Sequence, residues 1–225
     1  EVKAWMNEQN IPSLLLDEEG DETADILKSL YATRRALERL QGQRLGLIGQ
    51  VSDWLISSEV PVEVLQQKLG IELVHIPWDS LSSFNDFEAS ESLLKSFPES
   101  PGVDLHKTAQ VDKLLEHTIE VNALDAITVE CFPMVQKDCV TACLPLARFN
   151  DQGVPAGCEG DLTAIAGMML CKELTGVIPW IANINKATED MCMFSHCTIA
   201  PGLVSDMSIQ THFETNVGTA IEGDF

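Results

Sequence analysis

Three stretches of this chain carry the side chains able to do chemistry. Ala126-Ile-Thr-Val-Glu130 is an apolar run that ends in a carboxylate. Ligands of open α/β sheets bind outside the carboxyl ends of strands, which makes Glu130 a candidate substrate contact. Cys158-Glu159-Gly160-Asp161 sets two acids among small residues, where a ligand can approach closely. Asp161 also stands where a helix running to Leu174 would take its N-cap, with Thr175-Gly176 as the stop. The third stretch runs from Gly176 through an apolar strand that presents Asn183 near its end, and continues to Phe194-Ser-His196-Cys-Thr-Ile. A neutral imidazole beside a carboxylate is a reasonable ligand set for Mn²⁺ or a similar divalent ion.

Composition bounds what such groups would act on. The chain has 225 residues, 45% hydrophobic and 22% charged, enough for one large domain or two modest ones. Fourteen Lys and Arg against 35 Asp and Glu leave a net charge of −21, which repels nucleic-acid backbones and anionic membrane surfaces. The most apolar run, Leu162 to Cys171, is far shorter than the roughly 20 residues a membrane span needs. Seven cysteines, an odd number, all follow residue 130. Without a signal peptide, they read as reduced thiols of a cytoplasmic protein, small and buried. A Cys-rich redox or iron–sulfur module is the sharper alternative, but no CxxC occurs, and Cys139 and Cys143 are four positions apart.

The elements that must hold these groups alternate between strands and helices. Ile11 to Asp17 reads as a short strand, Thr23 to Leu40 as an amphipathic helix stopped by Gly42, and Arg44 to Ile48 as a strand ending at Gly49. Gly46-Leu-Ile-Gly49 lacks the third glycine of a dinucleotide fingerprint and reads as a tight strand end. Pro61 to Leu69 reads as a helix, Ile71 to Ile76 as a strand, Trp78 to Asp104 as an irregular loop with short helices, and Val111 to Val121 as a helix. Strand, helix, strand in this order predicts an α/β fold with a parallel sheet.

The run Cys158-Glu-Gly-Asp-Leu-Thr-Ala, a helix ending Leu174-Thr-Gly, Pro179-Trp-Ile-Ala-Asn and Ser195-His-Cys-Thr-Ile-Ala-Pro resembles the L-fucose isomerase and L-arabinose isomerase superfamily, from about Arg44 to Phe225. The resemblance implies a parallel-sheet sandwich of the fucose isomerase second-domain type, within a fragment of a longer protein. Residues 1–43 would be the tail of an N-terminal α/β domain, 44–177 the central α/β domain and 178–225 the start of a C-terminal domain, mostly missing. It implies aldose–ketose interconversion through an enediol, with Mn²⁺ held by two carboxylates and a histidine, and a trimeric or hexameric assembly. By this resemblance Glu159 is metal ligand and proton carrier and His196 a ligand or sugar contact; Glu130 and Asp161, by their positions, are the further candidate substrate contacts. Asn183 falls where the family has its second acidic ligand. An amide offers a carbonyl oxygen but neither charge nor basicity, which raises the alternative of a sugar-binding relative with impaired catalysis.

Overall fold

The computed structural model describes residues 1–16, 21–58, 60–97, 105–211 and 220–224. Two helices, α1 (Val2–Glu8) and α2 (Asp21–Leu40), precede strand β1 (Arg44–Ile48). Then follow α3 (Val62–Leu69), β2 (Glu72–Ile76), α4 (Glu91–Ser96), α5 (Leu105–Val121), β3 (Ala126–Val129), α6 (Phe132–Asp138), α7 (Cys143–Asp151), β4 (Ala156–Cys158) and α8 (Leu162–Thr175). Two antiparallel hairpins complete the described chain: β5 (Asn183–Ala187) with β6 (Cys192–Ser195), and β7 (Ser205–Gln210) with β8 (Ala220–Asp224).

The first four strands form one parallel sheet in the order β2-β1-β3-β4. The chain therefore reverses its direction of winding between β1 and β3, the point where an open sheet leaves a crevice at its carboxyl edge. Alternate side chains of each strand point to opposite faces, and both faces are apolar. Ile48, Ile127 and Val129 pack with Val111, Leu114 and Leu115 of α5 and Leu146 and Phe149 of α7. Leu45, Leu47 and Ala126 pack on the other face with Leu40 of α2 and Leu162, Ile165 and Met169 of α8. The result is a three-layer α/β sandwich, with α2, ahead of residue 44, sharing a core with the sheet.

Local sequence accounts for most boundaries. Pro61 precedes α3, and Gly70, left-handed at φ 74°, ends it. Gly176, at φ 77°, ends α8 in the same way. Two expected strands are absent. Ile11–Leu16 forms no strand, and Leu14 and Leu15 lie exposed with no neighbouring strand to satisfy their backbone; Asp17 lies outside the described residues. Residues 177–182 are also irregular, because Ile178 and Ile181 pack onto the α8 core and Pro179 has no N–H to give a ladder. The strand begins only at Asn183.

One buried ion pair fastens α5 to α7. Arg148 Nε donates to Asp112 Oδ1 at 2.7 Å, and both side chains are almost wholly excluded from water. Arg148 also donates to Gln152 Oε1 at 3.0 Å and lies over the Phe149 ring. Burial pushes the Asp112 carboxyl up, and the guanidinium pulls it part of the way back. Removing Asp112 leaves the buried guanidinium only a longer charged contact with Glu116, 3.6 Å from its Nη2, so Asp112→Ala is expected to cost about 3 kcal/mol in urea unfolding. A loss below about 1 kcal/mol, the worth of a surface pair, would contradict this account.

Candidate functional site

The carboxyl edge of the sheet is organised by the loop that leaves β1. Glu130, directly after β3, accepts the Gln50 N–H on Oε2 at 2.9 Å. Glu159, directly after β4, accepts the Ser52 N–H on its backbone carbonyl at 2.9 Å and the Trp54 indole N–H on Oε2 at 2.8 Å. Trp54 is in turn held edge-on against Phe132, ring centroids 4.7 Å apart. One loop thus grips both acids.

That grip depends on glycine at two places. A Cβ on Gly49, which has φ 80°, would strike Glu130 Oε2 and Trp78 Nε1. A Cβ on Gly160, at φ 69°, would strike the Gln50 carbonyl. Glu159 itself is left-handed at φ 62°, a conformation that costs a side-chain-bearing residue about 1–2 kcal/mol. The two successive left-handed residues turn the chain sharply out of β4, and Asp161 then caps α8 by accepting the Ala164 N–H at 2.8 Å. The capping role weighed for Asp161 from sequence is therefore present.

A cleft of about 640 Å³ opens beside this loop, lined by Leu47, Gln50, Ser52, Asp53, His75 and Leu162 among others. His75 Nε2 donates to the Gly49 carbonyl at 2.7 Å, which steadies the same turn from the β2 side. Sequence reading passed over His75 and Trp54. The signal for both was their position, within or just after a strand leading to the carboxyl edge.

The other expected site residues lie in and just after the β5–β6 hairpin. Asn183 is exposed and pairs with Ser195 across the β5–β6 hairpin. His196, the next residue, is half-buried, its Nδ1 3.6 Å from Cys158 Sγ and 3.7 Å from Cys197 Sγ. Cys158 is the neighbour of Glu159. The fold therefore sets His196 beside Cys158 and Cys197, so that sulfur rather than the Glu159 carboxylate or the Asn183 amide faces the imidazole.

The segment carrying His196 and Cys197 is stitched to β4 by Asn150 at the end of α7. Its amide nitrogen donates to the Ala156 carbonyl at 2.9 Å and to the Thr198 carbonyl at 3.3 Å, and its oxygen accepts the Ala156 N–H at 2.8 Å. Cys131, Cys143, Cys158 and Cys197 are buried in this region, while Cys139, Cys171 and Cys192 are exposed. Burial, reinforced by Cys143, pushes the Cys131 thiol up to about 12. For Cys158 the contact with Cys197 pulls down, but burial and the neighbouring thiols prevail and leave it at about 11. A hydrogen bond with Cys143 pulls Cys197 down, yet Cys158 and burial hold it well above the ordinary thiol value.

The thiolate is the reactive form, so buried thiols with raised pKa stay protonated and slow near pH 8. Titration of the metal-free, reduced chain with an aromatic disulfide is expected to give three fast thiols, and four more only on unfolding. A fourth fast thiol in the native chain would contradict the packing of this cluster. No family model matches this chain, and no curated protein matches it.

Proposed function

We propose that this chain is the sugar-handling part of a divalent-metal-dependent aldose–ketose isomerase, of the fucose isomerase second-domain type its sequence resembles. The observation that carries the reading is the pair of acids, Glu130 and Glu159, gripped by one loop at the carboxyl edge of a parallel sheet. They stand by the reversal point of its winding, and Gln50 and Ser52 of the loop that grips them also line a cleft of about 640 Å³. The strain at Glu159 supports it as well, since left-handed side-chain-bearing residues concentrate at functional sites.

The donors fit a hard ion such as Mn²⁺ in part. Glu159 offers carboxylate oxygen and Asn183 an amide oxygen, whereas the His196 imidazole faces two sulfurs, which a hard ion does not select. A bound divalent ion would supply polarisation of the open-chain carbonyl and the adjacent hydroxyl. The chain's own part is positioning and proton transfer. Glu159, oriented by the Trp54 indole, takes the proton from the carbon next to the carbonyl and returns it to the former carbonyl carbon, while the neighbouring hydroxyl's proton passes to the former carbonyl oxygen, which moves the carbonyl by one position. Glu130 accepts a hydrogen bond from a sugar hydroxyl at the rim. Asn183 hydrogen-bonds substrate without serving as a base.

The test is ketose formation from a panel of aldoses by the complete protein with Mn²⁺. Turnover with at least one sugar is expected, as is a loss of about 10²–10⁴-fold in Glu159→Gln; no turnover with any sugar overturns the reading. The exposed amide at Asn183 favours a second reading, a sugar binder with impaired catalysis. A rise in metal affinity and turnover in Asn183→Asp supports that reading, and unchanged activity argues against it. Glu159→Gly removes the carboxylate and also relieves the left-handed strain. Its unfolding free energy is expected to equal or exceed the parent's by up to about 1 kcal/mol while activity is lost. A large destabilisation would show that Glu159 serves the fold.

A further inference from the structure

We propose that Cys158, His196 and Cys197 form a binding site for a thiophilic, tetrahedral divalent ion of the Zn²⁺ class, separate from the carboxylate edge. The two thiols and the imidazole come from distant parts of the chain, Cys158 and His196 being 38 residues apart. Their ligand atoms nonetheless lie within 4.8 Å of one another.

The spacing is what a zinc ion requires. Zn²⁺ holds thiolate sulfur at about 2.3 Å and imidazole nitrogen at about 2.0–2.1 Å, so tetrahedral geometry puts a nitrogen and a sulfur about 3.5 Å apart and two sulfurs about 3.8 Å apart. His196 Nδ1 stands 3.6 Å from Cys158 Sγ and 3.7 Å from Cys197 Sγ. These three atoms are arranged as the base of such a tetrahedron, within 4.8 Å of one another; Cys158 Sγ also lies 3.9 Å from Nε2, so the half-buried ring turns about its Cβ–Cγ bond to aim Nδ1 at the ion when it loads. Its apex is left for an exogenous ligand, the arrangement of zinc sites that keep an open position.

The donor set selects the ion. Two thiolates and an imidazole suit Zn²⁺, while Mn²⁺ and Mg²⁺ prefer oxygen. Loading balances as one divalent ion taken up and two thiol protons released. The frame is already in place: Cys158 ends β4, and Asn150 ties Ala156, two residues before it, to Thr198, the residue after Cys197. Both sulfurs are buried, and the half-buried imidazole is the route of entry from solvent. Ion binding through Nδ1 would also commit His196 to the sulfur side, leaving the carboxylate edge to its oxygen donors.

Cobalt(II) reports on this site independently of any enzymatic activity. The reduced, metal-stripped chain is titrated with Co²⁺ without oxygen, followed by Zn²⁺. Expected are one equivalent of Co²⁺ bound, a sulfur-to-cobalt charge-transfer band, the intense visible bands of a tetrahedral ion, and bleaching by one equivalent of Zn²⁺. The triple variant Cys139→Ser, Cys171→Ser, Cys192→Ser, which removes the exposed thiols, should keep the spectrum. Cys158→Ser, Cys197→Ser and His196→Ala should each weaken or abolish it. Absence of a charge-transfer band in the parent chain overturns the proposal, and so does its loss in the triple variant or its survival in the Cys158→Ser, Cys197→Ser double variant. Should a buried-thiol variant fail to fold, the parent and the triple variant still decide.

Discussion

Two consecutive left-handed residues at the end of β4, Glu159 and Gly160, are the constraint on which the rest of this structure hangs. Gly160 donates its N–H to the Val129 carbonyl at 3.2 Å, and the Glu159 carbonyl accepts from Ser52, so the turn is pinned to β3 and to the β1 loop at once. The turn gives consecutive side chains different partners. The Cys158 thiol enters the core beneath α7, the Glu159 carboxylate meets the Trp54 indole, and Asp161 begins α8. Two kinds of donor chemistry, hard oxygen and soft sulfur, thereby sit on adjacent residues with separate partners.

The face behind β4 is held by polar groups that the core can keep only because they are paired. Arg148 and Asp112 fix α7 against α5, and Asn150, two residues along α7, spends its whole amide on β4 and the Thr198 segment. A buried amide with unmet partners costs about 1–3 kcal/mol for each orphaned group. Any motion that would separate Cys197 from Cys158 must therefore break the Asn150 bridge. The thiol cluster owes its geometry to that bridge, and the carboxylate edge owes its geometry to the β1 loop. The two regions are braced by different parts of the chain.

Much of the scaffold was readable from periodicity and punctuation. The apolar alternation of Arg44–Ile48, the run Ala126–Val129, and the glycines at 70 and 176 locate strands and helix ends within a residue or two of where they fall. The readings that missed concern partners. Ile11–Leu16 has strand-like residues but no strand beside it, and residues 177–182 give their apolar side chains to α8. Helices α6 and α7 escaped notice because Cys, Pro and Phe interrupt any clean helical period, although their burial is nearly complete along α7.

The sequence by itself determined the α/β class, the strand-end position of Glu130 and the capping role of Asp161; among the described residues no helix is long and apolar enough to cross a membrane. These follow from local patterns and the geometry that each residue imposes on its own backbone. Only the tertiary structure decided that one loop grips both acids, that His196 turns toward sulfur, and that cysteines without any metal-binding spacing converge on it. Spacing along the chain records ligands when neighbouring residues supply them. Here the parallel sheet and the Asn150 bridge bring together residues 38 positions apart, a distance over which sequence carries no trace of contact.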